Sequence, residues 1–422
     1  MLSDIRTTVE ALEMVEYTYP VLDTKLYTEI SSCRACGSDH IESVLDLGNL
    51  CISDFTSSMQ LEDRAPLELI SCQECSLIQL RHTVDRDRLY KDYYYRSGLN
   101  ESMVAALQDI ADDTAHRVDL STPSYIVDIG SNDGTLLSLY PKKHVRYGFE
   151  PSRNVIQLEP YNKSDLSGVK VYPIYFPPTW KPACKAMIIT SIAMFYDVDD
   201  PNSFVSAIKN WLHPNGIWVL QMPDLRQMLD LNAFDNICHE HLTYWPIHAL
   251  IRLLDTHGLM ITAISRNQVN GGSTRYIITH GQHERIPSHA RWFWNHHIIV
   301  FRENMEHLRC ETITLLRKLK ADGKRVYGYG ASTKGNTLLQ YYGITSELLP
   351  FITDRNPDKW GKLTVGSHIP IISEDSMRVC KPDYLFVLPW GFIDTFKQRE
   401  AEFLERGGQF IVPLPKLDII GG

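Results

Sequence analysis

His239, Glu240 and His241 place two imidazoles and a carboxylate within three residues. Those groups can supply a general base and the group that orients it. If the segment is extended, His239 and His241 share one face and Glu240 points to the other. Two plainer readings compete: a polar loop whose histidines only bond backbone, and a metal site built from Cys238, His239 and His241. A second chemical signature is Cys33-x-x-Cys36 with Cys72-x-x-Cys75, 35 residues apart. Each turn brings two thiolates to one side of a loop, and two turns complete a tetrahedron around zinc. Four sulfurs leave no position for water, so the site is expected to be structural, against a redox dithiol or coincidence. Cys51, Cys184, Cys310 and Cys380 read as packing residues.

The run IVDIGSNDG, Ile126 to Gly134, carries a third signature. An apolar strand enters a glycine turn, the helix TLLSLY follows, and a strand from Val145 to Phe149 ends at Glu150. This is the front half of a nucleotide-binding βαβ unit, with the acid placed to accept ribose hydroxyls. Gly130 and Gly134 lack the G-x-G-x-x-G spacing of dinucleotide enzymes, while Asp128, Asn132 and Asp133 crowd the loop with oxygen. That composition suits a cationic, phosphate-free ligand such as S-adenosylmethionine better than a pyrophosphate. Ser191, closing the strand AMIITS, joins the cofactor-side candidates. An ordinary βα turn is the bland alternative.

Two further turns are candidates for holding a substrate. Asn270-Gly-Gly-Ser273 offers a tight turn and a hydroxyl, although a plain hairpin explains it equally well. Gly328-Tyr-Gly330-Ala-Ser332-Thr-Lys334-Gly-Asn336 stands before a helix. Amides at that helix start, two hydroxyls and a lysine suit a phosphate or diphosphate. It is neither a Walker A loop nor a full dinucleotide fingerprint, and a Rossmann unit that binds nothing is the competing reading.

Three blocks position these groups: a cysteine-bearing, strand-rich module over 1–85, an α/β domain over 86–284, and a second α/β domain over 285–422. In the middle block IVDI, RYGFE, AMIITS and GIWVLQM alternate with helical segments, as in a parallel sheet. Phe301, Met305, Leu308, Thr312, Leu315 and Leu319 follow steps of four and three, so a long helix with one buried stripe leads into the third block. Gly323 is its expected stop. The third block repeats strand, glycine loop, helix, strand and acid up to Asp354, and reads as a second unit cut short.

A chain of 422 residues with net charge −9 has length for two or three cores and little to attract nucleic acid or a membrane surface. No apolar run approaches the roughly 18 residues that span a bilayer, and the start MLSDIRTTVEALEMVEY lacks signal-peptide character. The expectation is a cytoplasmic protein with reduced thiols.

Taken in order, these motifs resemble the sugar C-methyltransferase family, which acts on nucleotide-linked keto-deoxysugars. The resemblance covers nearly the whole chain, and HEH followed by L-T-Y, together with GYGAS-x-KGNTLL, is its specific part. It implies an α/β fold in which a zinc-binding N-terminal module precedes two Rossmann-like domains. It also implies S-adenosylmethionine at Gly130 to Gly134 with Glu150 on its ribose, a nucleotide-sugar held partly by the C-terminal domain, and His241 as base beside Glu240. His239 is then a candidate donor to the developing oxygen. Two residues depart from the pattern: Cys238 stands where many relatives carry tyrosine, and Asp197 where relatives often place histidine. The acceptor therefore stays open, with sugar O-methylation or RNA methylation as alternatives to C-methylation. A third class is a non-catalytic nucleotide sensor, against which the intact HEH cluster counts. The absence of a basic, aromatic-interleaved patch counts against RNA.

Overall fold

The central sheet has seven strands in the spatial order Leu259–Asn267, Ser273–His280, Leu212–Pro223, Ala186–Ile192, Tyr125–Ile129, Val145–Phe149, Val169–Tyr172. Within this sheet the chain order is therefore 6-7-5-4-1-2-3. The Ser273–His280 strand runs antiparallel to both neighbours, and the other pairs are parallel. The computed structural model describes residues 26–57, 62–90, 95–156, 168–269, 272–284 and 293–421. Alternation explains why this sheet forms. Val127, Ile129 and Ile189 feed one face, against Phe204, Val205 and Ile208. Ile126, Ile188 and Val219 feed the other, against Leu107 and Ile110. Strands covered on both faces read as continuous apolar runs, which IVDI and AMII do. The helix that supplies Leu107 and Ile110, Glu101–Arg117, starts at Asn100, whose side chain accepts from Ser102 N.

The third block is larger than its sequence suggests. Six strands take the order Ile371–Ser373, Ile352–Asp354, Val326–Tyr329, Tyr384–Val387, Gln409–Val412, Asp418–Gly421, with only the last antiparallel. This is a 3-2-1-4-5-6 sheet, so the expectation of a shortened unit is corrected. Its strands are three or four residues long and hide easily among helices. At the carboxyl end of Val326–Tyr329, Gly330 has φ +83° and a Cβ there would meet Pro389 Cγ at 2.6 Å. Only glycine lets the two sides of this crevice approach so closely.

The cysteine module forms an antiparallel sheet ordered Thr243–Tyr244, Ile78–Leu80, Arg64–Cys72, Ile41–Cys51. Its first strand belongs to the middle block and directly follows the HEH segment. The module also pairs Phe55–Thr56 with Leu363–Thr364 of the third block. It thereby ties both α/β sheets together. The long helix Phe293–Ala321 buries Phe301, Met305, Leu308, Thr312, Leu316 and Leu319, and Gly323 turns the chain with φ +72°. Among the described residues no helix is long and apolar enough to cross a membrane.

Phe234 links the middle and third blocks. It is fully buried and packs against Tyr341 and Tyr342 at ring distances of 5.4 and 5.2 Å. Phe234→Ala should lower stability by about 3–5 kcal/mol through lost burial and a cavity. Urea unfolding checks this, and a cost below about 1 kcal/mol would show that this contact does not hold the blocks together.

Candidate functional site

A cavity of about 1530 Å³ lies where the carboxyl ends of the two parallel sheets face each other. In each sheet the strand order reverses at that end, the place where open α/β sheets bind ligands. Asp128, Gly130, Ser131, Asn132 and Glu150 line one side, Ser332, Lys334, Trp390 and Arg399 the other, and Glu240 and His241 lie between them.

The first crevice is built by its glycine. Gly130 has φ +71°, and a Cβ there would come within 3.0 Å of Met194 across the switch point. Glu150 accepts from the amides of Asn132 and Ser152, both at 2.9 Å, which fixes its carboxylate at the strand tip. Burial raises its pKa. Asp128 Oδ1 accepts the Thr190 hydroxyl at 2.6 Å, and burial beside Glu150 pushes its carboxyl up to about 7. The Ser131 hydroxyl is buried without a partner. Two carboxylates, an unpaired hydroxyl and a glycine wall are groups that suit a cationic ligand carrying ribose hydroxyls, as S-adenosylmethionine is.

Three cofactor-side candidates fall outside this cavity. Asp133 points away from it, accepting from Gly98 N at 2.8 Å and from Thr135 Oγ1 at 2.6 Å. Gly134 caps the helix Thr135–Ser138 with φ +77°. Ser191 is fully buried and accepts from Trp218 Nε1 at 3.1 Å. Asn132 lines the cavity, but its side chain bonds Ser97 N and Tyr95 O. Asn132 and Asp133 thus hold the segment from Tyr95 to Gly98 against the crevice. Their oxygens serve the loop rather than a ligand.

The HEH segment is a turn, not a strand, since His241 N donates to Cys238 O at 3.1 Å. Glu240 and His241 therefore share the cavity. His239 turns out to bond Ala65 O at 2.9 Å, with burial lowering its pKa to about 4. This corrects both the shared face of the two histidines and the candidacy of His239 as oxygen donor. The turn is imposed from outside, by the pairing of Thr243–Tyr244 with Ile78 and Gln79.

His241 Nδ1 lies 2.7 Å from the Asn236 carbonyl. A carbonyl only accepts, so Nδ1 carries the hydrogen and Nε2 keeps its lone pair. Burial, and secondarily Lys334, lowers its pKa to about 3. The imidazole is thus neutral over the whole working range. The orienting group is the Asn236 carbonyl rather than Glu240, whose Oε2 is buried without a partner.

From the third block, Lys334 Nζ donates to Asn236 Oδ1 at 2.5 Å, and Trp390 Nε1 to Asp235 Oδ2 at 3.0 Å. Ser332 caps the helix Thr333–Tyr342 by accepting from Gly335 N at 3.0 Å. Asn336 is buried outside the cavity and bonds Asp54 O at 3.1 Å. Ser273 is also buried away from it, donating to Val269 O at 2.9 Å, and Asn270 lies outside the described residues. Asn336 and Ser273 therefore leave the set that lines the cavity. Sequence reasoning missed Ser131, Met194, Trp390 and Arg399. Only Ser131 sat inside a recognised motif.

Cys33, Cys36, Cys72 and Cys75 place their sulfurs within 4.8 Å of one another, with Cys33 to Cys75 at 3.6 Å and Cys36 to Cys72 at 3.5 Å. Sulfurs bound to zinc at about 2.3 Å in a tetrahedron stand about 3.8 Å apart. Without a cation the thiols compete for protons. The hydrogen bond to Cys72 pushes Cys33 up to about 11, while Cys72 is held far below the ordinary thiol range. A bound zinc ion resolves that competition.

Comparison with known proteins agrees with this division of labour. Residues 33–90 match a zinc binding domain, 95–264 a methyltransferase domain, and 268–415 a C-methyltransferase C-terminal domain. The C-methyltransferase NovU of Streptomyces niveus is 30% identical over 414 residues, covering 93% of this chain and 97% of its own. Among solved structures, an S-adenosylmethionine-dependent methyltransferase from Clostridium acetobutylicum is 11% identical, covering 42% of this chain and 92% of that one, with a TM-score of 0.34. The 1,6-didemethyltoxoflavin-N1-methyltransferase of Burkholderia thailandensis is 11% identical over 44% of this chain and 81% of its own, with a TM-score of 0.34.

If Asp128 faces the methyl donor, its raised pKa makes donor binding pH-dependent. Its carboxyl is ionised above about 7 and protonated below, so affinity for the cationic S-adenosylmethionine should rise with pH through that value. Calorimetry across this range checks it. Asp128→Asn should be weaker and flat with pH, and a wild-type affinity that does not change would remove Asp128 from the donor site.

Proposed function

The chain belongs to the S-adenosylmethionine-dependent C-methyltransferases, and from that membership we propose that it methylates a carbon beside the carbonyl of a nucleotide-linked ketosugar, with His241 as base. The observation that carries this reading is the neutral imidazole of His241, held by Asn236 O with Nε2 free, in the cavity shared by both crevices. A carbonyl acidifies the adjacent C–H bond, and an imidazole held in one tautomer can take that proton. S-adenosylmethionine supplies an electrophilic methyl group when bound. The chain's own residues hold the two partners at opposite ends of one cavity, which orients the carbon toward the methyl group.

Charge supports the nucleotide-sugar half of the reading. Lys334 and Arg399 line the third-block side, where the helix Thr333–Tyr342 begins. Guanidinium, ammonium and helix N-terminal amides together suit a diphosphate. Ser332 takes part as the cap that fixes those amides. An RNA substrate fits less well with a net charge of −9 and with Asp197, Asp235 and Glu240 in the cavity wall.

His241→Ala should lower turnover of a ketosugar nucleotide by on the order of 10²–10⁴. It should also stop exchange of the α-proton in deuterated water, while S-adenosylmethionine affinity by calorimetry stays unchanged. Wild-type exchange rates in the variant would exclude His241 as the base.

A further inference from the structure

Asp197 ends the 3₁₀ turn Phe195–Asp197 that leaves the strand Ala186–Ile192 at the switch point, and it lines the cavity. The turn is fixed by the elements that fix the base. Thr243 Oγ1 donates to the Tyr196 carbonyl at 3.1 Å, and the Tyr196 ring stands edge-on to the His241 imidazole at 4.4 Å. Tyr90, from the first block, donates to the Glu240 carbonyl at 3.4 Å and faces the Asp197 carboxyl. The oxygen Oδ1 is buried and has no partner.

The groups facing this carboxyl are Glu240, Cys238 and Tyr244 from the HEH turn and its strand, Tyr90, and Lys334 from the third block. Lys334 is the one cation among them, and Asn236 Oδ1 engages it at 2.5 Å. Burial first, and Glu240 second, push the Asp197 pKa well above the usual carboxylate range. Two neighbouring buried carboxyls do not both ionise under those conditions. A neutral acid with an unbonded oxygen is a donor awaiting an acceptor.

We propose that Asp197 acts as a neutral carboxylic acid, donating an O–H hydrogen bond to the sugar carbonyl oxygen as that oxygen gains charge. The role rests on the ketone reading of the substrate and makes Asp197 a second catalytic residue beside His241. As the C–H bond breaks, its proton passes to His241 Nε2. Its electron pair forms a C=C bond, and the carbonyl π pair moves onto oxygen, where Asp197 meets it. When the carbon takes the methyl group, the C–S pair stays on sulfur and the carbonyl re-forms. Asp197 keeps its proton, and the imidazolium returns its own to water. Donors of this kind are worth on the order of 10²–10³ in kcat.

Two variants and one spectrum test the role. The infrared difference spectrum at neutral pH, wild type minus Asp197→Asn, should show the C=O stretch of a protonated carboxyl, since the bands of Asp128 and the other buried carboxyls cancel. With thymidine-diphosphate-linked 4-keto-6-deoxyglucose as probe, Asp197→Asn, which still offers an N–H donor, should stay within about tenfold of wild type. Asp197→Ala should lose on the order of 10²–10³, with S-adenosylmethionine affinity unchanged in both. Equal loss in the two variants would overturn the proposal, because it would mean the carboxylate works ionised. A difference spectrum without such a band would also overturn it, because it would mean that Asp197 holds no proton. Failure of the wild type to turn over the keto probe would remove the substrate reading and this role with it. The infrared result needs no substrate, so the two failures remain separable.

Discussion

The stretch from Phe234 to Tyr244 is bonded to all three blocks at once, and the rest of the site depends on that. Its last two residues form a strand of the cysteine module's sheet, and His239 reaches the same module through Ala65 O. Lys334 and Trp390 of the third block hold Asn236 and Asp235. Buried backbone acceptors in such a segment must find donors. The Asn236 carbonyl does so with the His241 ring and the Tyr244 hydroxyl, at 2.7 and 3.2 Å. A single carbonyl thus selects the tautomer of His241. The four cysteines belong to the module whose sheet receives Thr243–Tyr244 at its edge.

This arrangement also explains how much of the site was legible beforehand. IVDIGSNDG and the two C-x-x-C turns depend on local physics: glycine at positive φ, an acid at a strand tip, thiols two residues apart. Those features survive in a linear sequence. The HEH turn does not, because pairing with a strand far away in the chain decides its conformation. An extended segment and a turn look alike in the letters, and the difference decides whether His239 or Glu240 joins His241 in the cavity. Asp133 and Ser191 failed for a related reason. Each has a satisfying partner nearby, Gly98 N and Trp218 Nε1, which composition alone cannot reveal.

Electrostatics divides the cavity by function. The first crevice carries Asp128 and Glu150, whose ionisation is opposed by burial and would be favoured by a cationic ligand. The far side carries Lys334 and Arg399 at the start of a helix. Between them His241 is kept neutral, with its pKa lowered, and Asp197 is pushed toward its acid form. A neutral imidazole and a carboxyl pushed toward its acid form are the pair that the proposed deprotonation beside a carbonyl requires. Both states come from burial that the three blocks create together, and no single block would provide it.

The most direct measurement is to incubate the protein with methyl-¹³C S-adenosylmethionine and a panel of ketosugar nucleotides, and to locate the label by NMR. The account predicts a new methyl group bonded to a sugar carbon adjacent to the carbonyl. A label on a sugar oxygen, or no transfer to any ketosugar nucleotide, would contradict it.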